Sequence, residues 1–375
     1  MTDLFDATPT GPEPRLPAAA SAAAVEQLAA DRAKALFGAE YAQVWHRTGD
    51  EAVSAVLSAL LAPGDTVLAP DLAPAAGPER PAHTAPLSER YELATYQVRP
   101  SDFTVDMDQV HRLAVRRRPK MILAGWAAYP RLLDYARFRR IADEAGALLL
   151  VDMANVAGPV AAGLHPGPVP HAHVVTTGSH PVLGGAVLTG DPRIAHRLDA
   201  VALPDRETEA FAHGMAAKAA AFRCAAVPAF REQQAAGLRA ARIMAGRLLA
   251  DDVAETGARV LTGSTETDRV LVDLRSTGLD VCAAAEALRS LGITVERTTL
   301  SLNSGTSTAS SGVSVGADAL AARGCGEAGF RAAAEAVARV LTHHPGERVP
   351  TRRPGRAVAP ADTTPTPPSP EKSTP

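Results

Sequence analysis

The sequence predicts an α/β protein: a large unit with a mostly parallel sheet covered by helices on both faces, then a smaller α+β unit. Three observations predict it. Short, wholly apolar runs alternate with amphipathic stretches over the first 200 residues, the pattern of a sheet buried on both faces. A long helical stretch follows, over about 206–249. After Gly257 the units shorten and strands and helices mix.

Each element has its own signal. Ala23–Phe37 has helical spacing and stops at Gly38; Asp50–Leu61 is a second helix, ended by Pro63-Gly64. Asp65–Leu68 reads as a strand, as do the apolar runs Met121–Gly125 and Ala147–Val151. Asp134 is placed to cap an amphipathic helix running to about Ala145, and Arg116-Arg117-Arg118 reads as a solvated helix end. His173–Thr177 and Ala186–Leu188 are further strands, and Pro228 predicts a kink in the long helical stretch. Beyond Gly257, Val270–Leu274, Ile293–Glu296 and Val313–Val315 are strands, with helices over Val281–Leu291 and Glu327–Leu341. The expected organisation is a disordered arm over 1–20, a large α/β domain over 21–205 and a helical connector over 206–256. A small C-terminal α+β domain over 257–345 and a disordered Pro/Thr-rich tail over 346–375 complete it.

Composition narrows the function. Thirty-eight basic residues against 41 acidic ones give a net charge of −3, which carries no electrostatic footprint for nucleic acid or an acidic membrane surface. No apolar run is long enough to span a bilayer, and the acid- and proline-bearing N-terminus does not read as a secretory signal. Cys224, Cys282 and Cys325 are too scattered for a disulfide framework or a zinc site, which predicts a cytoplasmic protein. His171 and His173 flank Ala172, but no third ligand lies at metal-site spacing. Only four basic residues are lysines: Lys34, Lys120, Lys218 and Lys372.

The stretch Pro119–Gly190 carries VDMA, VAG, VAAG and HVVTT in a spacing that resembles serine hydroxymethyltransferase. AVEQLAADRAKALFG, LLAPGDTVL, AAKAAAF, VLVDLRSTGL and SSGVSVGADALAARGCGE extend the resemblance over roughly 24–342. It implies the aspartate-aminotransferase-like fold of fold type I enzymes dependent on pyridoxal phosphate (PLP), a homodimer, and transfer of a one-carbon unit between serine and tetrahydrofolate.

Carried over residue by residue, the resemblance implies a changed site. The Schiff-base lysine position is Pro181, which has no nucleophile. The arginine that meets the substrate carboxylate corresponds to Ser314, which lacks a charged fork. The phosphate cup reads Thr48-Gly49-Asp50, where Thr48 keeps a hydroxyl and Asp50 reads best as a helix cap. Gly77 takes the ring-stacking position, Ala127 and Pro130 replace two serines, and Asp205–Glu209 replace a glycine-rich loop of the partner subunit. A short Ala/Pro arm stands where the family carries substrate-binding tyrosines.

Asp152 survives where the family pairs an aspartate with the pyridine nitrogen, although an aspartate there also caps a strand end. Asn155, His180 and Thr48 complete the residual cofactor positions, and His213 and Arg323 also match. Lys34, Lys120 and Lys218 match structural lysines of the family. These departures together lead to the expectation of a non-catalytic scaffold or partner protein. It would form a homodimer, or a heterodimer with an intact paralogue, and would bind PLP at most weakly and without a covalent link. The alternative is an active serine/glycine hydroxymethyltransferase or a related PLP-dependent enzyme of one-carbon and glycine/serine metabolism.

Overall fold

The computed structural model describes residues 22–71, 89–125, 129–178, 184–201, 208–298 and 311–342. Its larger sheet has seven strands: β1 (Tyr41–Gln43), β2 (Thr66–Pro70), β3 (Glu92–Tyr96), β4 (Met121–Ala124), β5 (Leu148–Asp152), β6 (Val174–Thr177) and β7 (Ala186–Thr189). Their spatial order is β1-β7-β6-β5-β4-β2-β3. The ladders from β3 through β6 are parallel, whereas β7 runs antiparallel to both β6 and β1. The chain steps outward from β2 to β3 and then returns to place β4 on the other side of β2. Open α/β sheets bind ligands beyond the carboxyl ends of their strands at such a reversal of order.

Helices cover both faces because the central strands are apolar throughout. One face packs against α1 (Ala22–Phe37), α3 (Met107–Arg117) and α4 (Tyr135–Ala145), with Ile122, Leu149 and Val151 fully buried. The other packs against α2 (Gly49–Leu60) and α6 (Pro192–Asp199), with Met121, Leu150 and Val174 fully buried. Between α4 and α6 lies the short α5 (Ala157–Ala161). Asp134 caps α4 as its position predicts, accepting from the Arg137 N–H at 2.9 Å. The three arginines end α3, where Arg118 adopts a left-handed conformation, φ 46°.

The long helical stretch is broken rather than kinked. It consists of α7 (Glu209–Ala225) and α8 (Pro228–Leu248), with Pro228 in the first turn of α8. Proline is suited to that position because the first N–H groups of a helix have no intrahelical acceptor. A short α9 (Asp251–Ala254) follows.

A second sheet, ordered β10-β11-β9-β8, is antiparallel throughout and comprises β8 (Arg259–Val260), β9 (Arg269–Asp273), β10 (Thr294–Thr298) and β11 (Gly312–Gly316). It has its own core with α10 (Val281–Ser290) and α12 (Glu327–Thr342), preceded by the short α11 (Asp318–Ala322). Val313 and Val315 face that core. Leu271 on β9, opposite Ser314, instead joins the core of the larger sheet. Directly opposed residues share a face, so Ser314 lies on the face turned toward the larger sheet.

Candidate active site

Asp152 closes β5 at its carboxyl end, beside the reversal of strand order. Its carboxylate is held on two sides: Oδ1 accepts from the Ala154 N–H at 3.1 Å and from the Thr176 hydroxyl at 3.2 Å. The residue is half-buried, and the two bonds hold its Oδ1 at the strand end. Its negative charge adds to burial in pushing the Tyr135 phenol up to about 12. Asp152 fits the strand-cap reading: its Oδ1 is bound to the turn at Ala154 and to Thr176 on the neighbouring strand.

Next to it, the backbone leaves no room for a side chain. Gly125, at the end of β4, has φ +141°, and a Cβ there would lie 2.3 Å from the Asp152 carbonyl oxygen. Only glycine fits such a position. Asn155 sits one turn beyond Asp152; its Nδ2 donates to the Tyr129 carbonyl at 3.0 Å, while its Oδ1 is buried without a hydrogen-bond partner among the described residues. A buried acceptor left open in this way is a point of recognition for a donor.

The second group of predicted positions lies at the N-terminus of α2. Thr48, not Asp50, is the cap: its Oγ1 accepts from the Glu51 N–H at 3.2 Å. Asp50 lies inside the first turn with Glu51. The Glu51 carboxylate accepts from the Arg47 N–H at 2.7 Å and pairs with the Arg47 guanidinium at 2.9 Å. Burial pushes the Glu51 carboxyl up, but these bonds to Arg47 bring it below its ordinary value. Gly49 crosses Gly178, the residue after β6, backbone to backbone. A Cβ on Gly178 would sit 2.2 Å from Gly49 Cα. This crossing joins the cup to the segment that leads to His180 and Pro181, both of which lie outside the described residues.

Other predicted positions distribute as follows. Ser314 is fully buried on β11 and its Oγ has no hydrogen-bond partner in the described structure. Gly77, Ala127 and Asp205–Glu207 lie outside the described residues, and so do the N-terminal arm and the C-terminal tail. Thr208 caps α7, accepting from the Phe211 N–H at 3.2 Å. Arg323 donates to the Gly292 carbonyl at 3.0 Å, and His213 is exposed. His173 is a packed histidine: its Nδ1 accepts from the Leu149 N–H at 2.9 Å, and burial lowers its pKa.

Two further residues stand beside the Thr48–Gly49 turn. His46, which had no sequence signal, is buried, its Nε2 has no partner among the described residues, and burial together with the nearby Lys218 ammonium lowers its pKa to about 4. Lys218 donates to the carbonyls of Val44 and His46, and to that of Gly185 at 2.5 Å. Lys218 alone had a visible clue, its place among only four lysines.

The serine hydroxymethyltransferase family model matches residues 19–337. Serine hydroxymethyltransferase 2 of Mycobacterium bovis is 48% identical over 322 residues, which is 85% of this chain and 76% of that protein. Serine hydroxymethyltransferase 1 of the same organism is 45% identical over 84% of this chain and 75% of its own length. Serine hydroxymethyltransferase of Clavibacter sepedonicus is 44% identical, again over 84% and 75%. These findings overturn the expectation of a non-catalytic scaffold. Identity of this order across all the core elements, to proteins named as enzymes, supports the active alternative, and nothing in the comparisons marks a loss of catalysis. The chain, with the α/β fold of the type I PLP transferases, belongs to the serine hydroxymethyltransferase family.

Proposed function

We propose that this protein is an active serine/glycine hydroxymethyltransferase, or a closely related PLP-dependent enzyme of one-carbon and glycine/serine metabolism, that holds its cofactor without a lysine at position 181. The observation that carries the reading is Asp152, aimed from the end of β5 by Ala154 and Thr176 within a chain that matches the family over 19–337.

The residues fit the cofactor at its ring end. Asp152 offers a carboxylate to the pyridine nitrogen and would keep a proton there, since an opposite charge favours the protonated ring. Asn155 Oδ1 is a buried acceptor with no hydrogen-bond partner among the described residues, and the close backbone contact of Gly125 with Asp152 fixes the strand end that carries the acid. At the phosphate end the Thr48 hydroxyl and the N-terminus of α2 supply donors and a favourable dipole. Asp50 opposes them, whereas the charge of Glu51 is offset by Arg47. When bound, PLP supplies an aldehyde for the substrate amine and an electron-withdrawing ring. Proline at 181 leaves the protein's attachment to rest on non-covalent contacts, so the cofactor exchanges readily. His180 and Ser314 belong to the same proposed site, where Ser314 would offer a hydroxyl in place of a guanidinium.

The proposal extends to assembly and place: a cytoplasmic homodimer, or a heterodimer with a paralogue, and no nucleic-acid partner. Among the described residues no helix is long and apolar enough to cross a membrane. Titration of the protein with PLP, followed by absorbance, tests the reading. A saturable one-to-one spectrum that Asp152→Ala abolishes supports it, and a spectrum identical to free PLP counts against it.

A further inference from the structure

Lys218 on α7 is half-buried, yet all three ammonium protons are taken by backbone carbonyls: those of Val44, His46 and Gly185. An ammonium has three donors and no acceptor, so this side chain is fully satisfied. Burying such a charge is costly unless it is paired or hydrogen-bonded. The placement of the three acceptors gives that cost a purpose. Val44 and His46 lie on the segment leaving β1, four and two residues before the Thr48 cap of α2. Gly185 stands at the entry to β7, where the chain returns from the segment bearing His180 and Pro181. The Thr48 and His46 carbonyls lie directly against Gly185, and the Lys218 side chain lies against Gly184.

We infer that Lys218 is the positioning residue of the anion-receiving turn: its ammonium ties the Val44–His46 segment, which leads into the Thr48–Gly49 turn, to the strand entry at Gly185. This rests on the reading that the turn receives the PLP phosphate. The charged groups around it agree. Glu51 in the first turn of α2 favours the ammonium, and His46 is kept neutral beside it. Burial lowers the Lys218 pKa to about 8, which leaves the ammonium predominant at neutral pH. The inference also separates Lys218 from covalent chemistry, because an amine that attacked an aldehyde would have to leave its carbonyls.

Lys218→Met keeps the length of the side chain and removes the donors. Wild type and K218M would be titrated with PLP and with pyridoxal, which lacks the phosphate, while amide hydrogen exchange is followed over residues 48–52. K218M is expected to bind PLP about tenfold more weakly, as loss of charge-assisted bonds implies. Its pyridoxal affinity should be unchanged, and the exchange over 48–52 should be faster. Equal weakening of both ligands, no weakening, or a borohydride-trapped adduct on Lys218 of the wild type would overturn the inference while leaving the PLP reading intact. If wild type binds neither ligand, the PLP reading fails. The exchange then decides the clamp alone: faster exchange in K218M supports it and unchanged exchange overturns it. Should K218M not fold, Lys218→Arg serves, since its planar fork keeps the charge but not the tripod. The same selective loss is expected of it.

Discussion

The Thr176 hydroxyl donates to the Asp152 carboxylate across directly paired positions of β6 and β5. Parallel pairing thus places an orienting donor beside Asp152. Asp152→Asn is expected to lower turnover by about 10²-fold or more, the scale of a lost preorganised charge. Its melting temperature should change little, because the position is half-buried and the turn bonds are kept. Thr176→Val should have a smaller effect on turnover and cost about 1 kcal/mol of stability, a single hydrogen bond. Turnover and thermal melts on the two variants check both.

Gly178 tests the crossing with Gly49. A methyl group there would lie 2.2 Å from the Gly49 Cα, too close for any relaxation short of moving backbone. Gly178→Ala should destabilise the protein by about 1–3 kcal/mol, the usual range for overpacking. It should also weaken PLP binding more than binding of pyridoxal, since the displaced backbone is that of the cup. Denaturant unfolding and the two titrations provide the readouts.

Asp268 gives a signed pH effect. Burial first, then the neighbouring Asp318 carboxylate, raise its pKa to about 6, with Arg269 opposing; Oδ1 atoms of both acids are buried without partners among the described residues. The folded pKa exceeds the unfolded one, so the folded state binds more protons between pH 4 and 6. Stability from this group falls as pH rises through that window and stays low above it. Asp268→Asn should therefore raise the melting temperature at pH 7.5 and remove that slope. A melting temperature equal to wild type at pH 7.5 would contradict this.

His46 acts in the opposite sense. Its folded pKa, about 4, is below its ordinary value of 6.5, chiefly through burial. The unfolded state then binds more protons between pH 6.5 and 4, and stability falls as pH drops through that window. His46→Gln should flatten this acid-side loss. Melts of His46→Gln and Asp268→Asn from pH 4 to 7.5 should diverge in slope, one corrected at acid pH and the other at neutral pH.

Position 181 offers a gain-of-attachment test. Pro181→Lys supplies the amine that the family places there. The variant should retain PLP through dialysis and yield a borohydride-stable adduct at 181, whereas wild type should lose the cofactor on dialysis.

Much of the fold was legible because its signals are local. Asp134 and Gly146 bracket α4, and the apolar runs at β4 and β5 admit no other burial. The stretch 89–118 was less so: Glu92–Tyr96 is a strand with exposed residues at the sheet edge, and α3 is so polar that only its arginine-rich end stood out. At the cup, Asp50 and Thr48 are both good caps, and only tertiary structure chose Thr48. The site residues Asp152 and Asn155 came from the family pattern. The roles of His46 and Lys218 depend on carbonyls up to 174 residues distant, which no local spacing records.

The most direct measurement is glycine formation from serine and tetrahydrofolate by the purified protein, with and without added PLP. The account predicts glycine in both stoichiometric and catalytic amounts, dependent on added PLP and lost in Asp152→Asn. No PLP-dependent glycine from well-folded protein would contradict it.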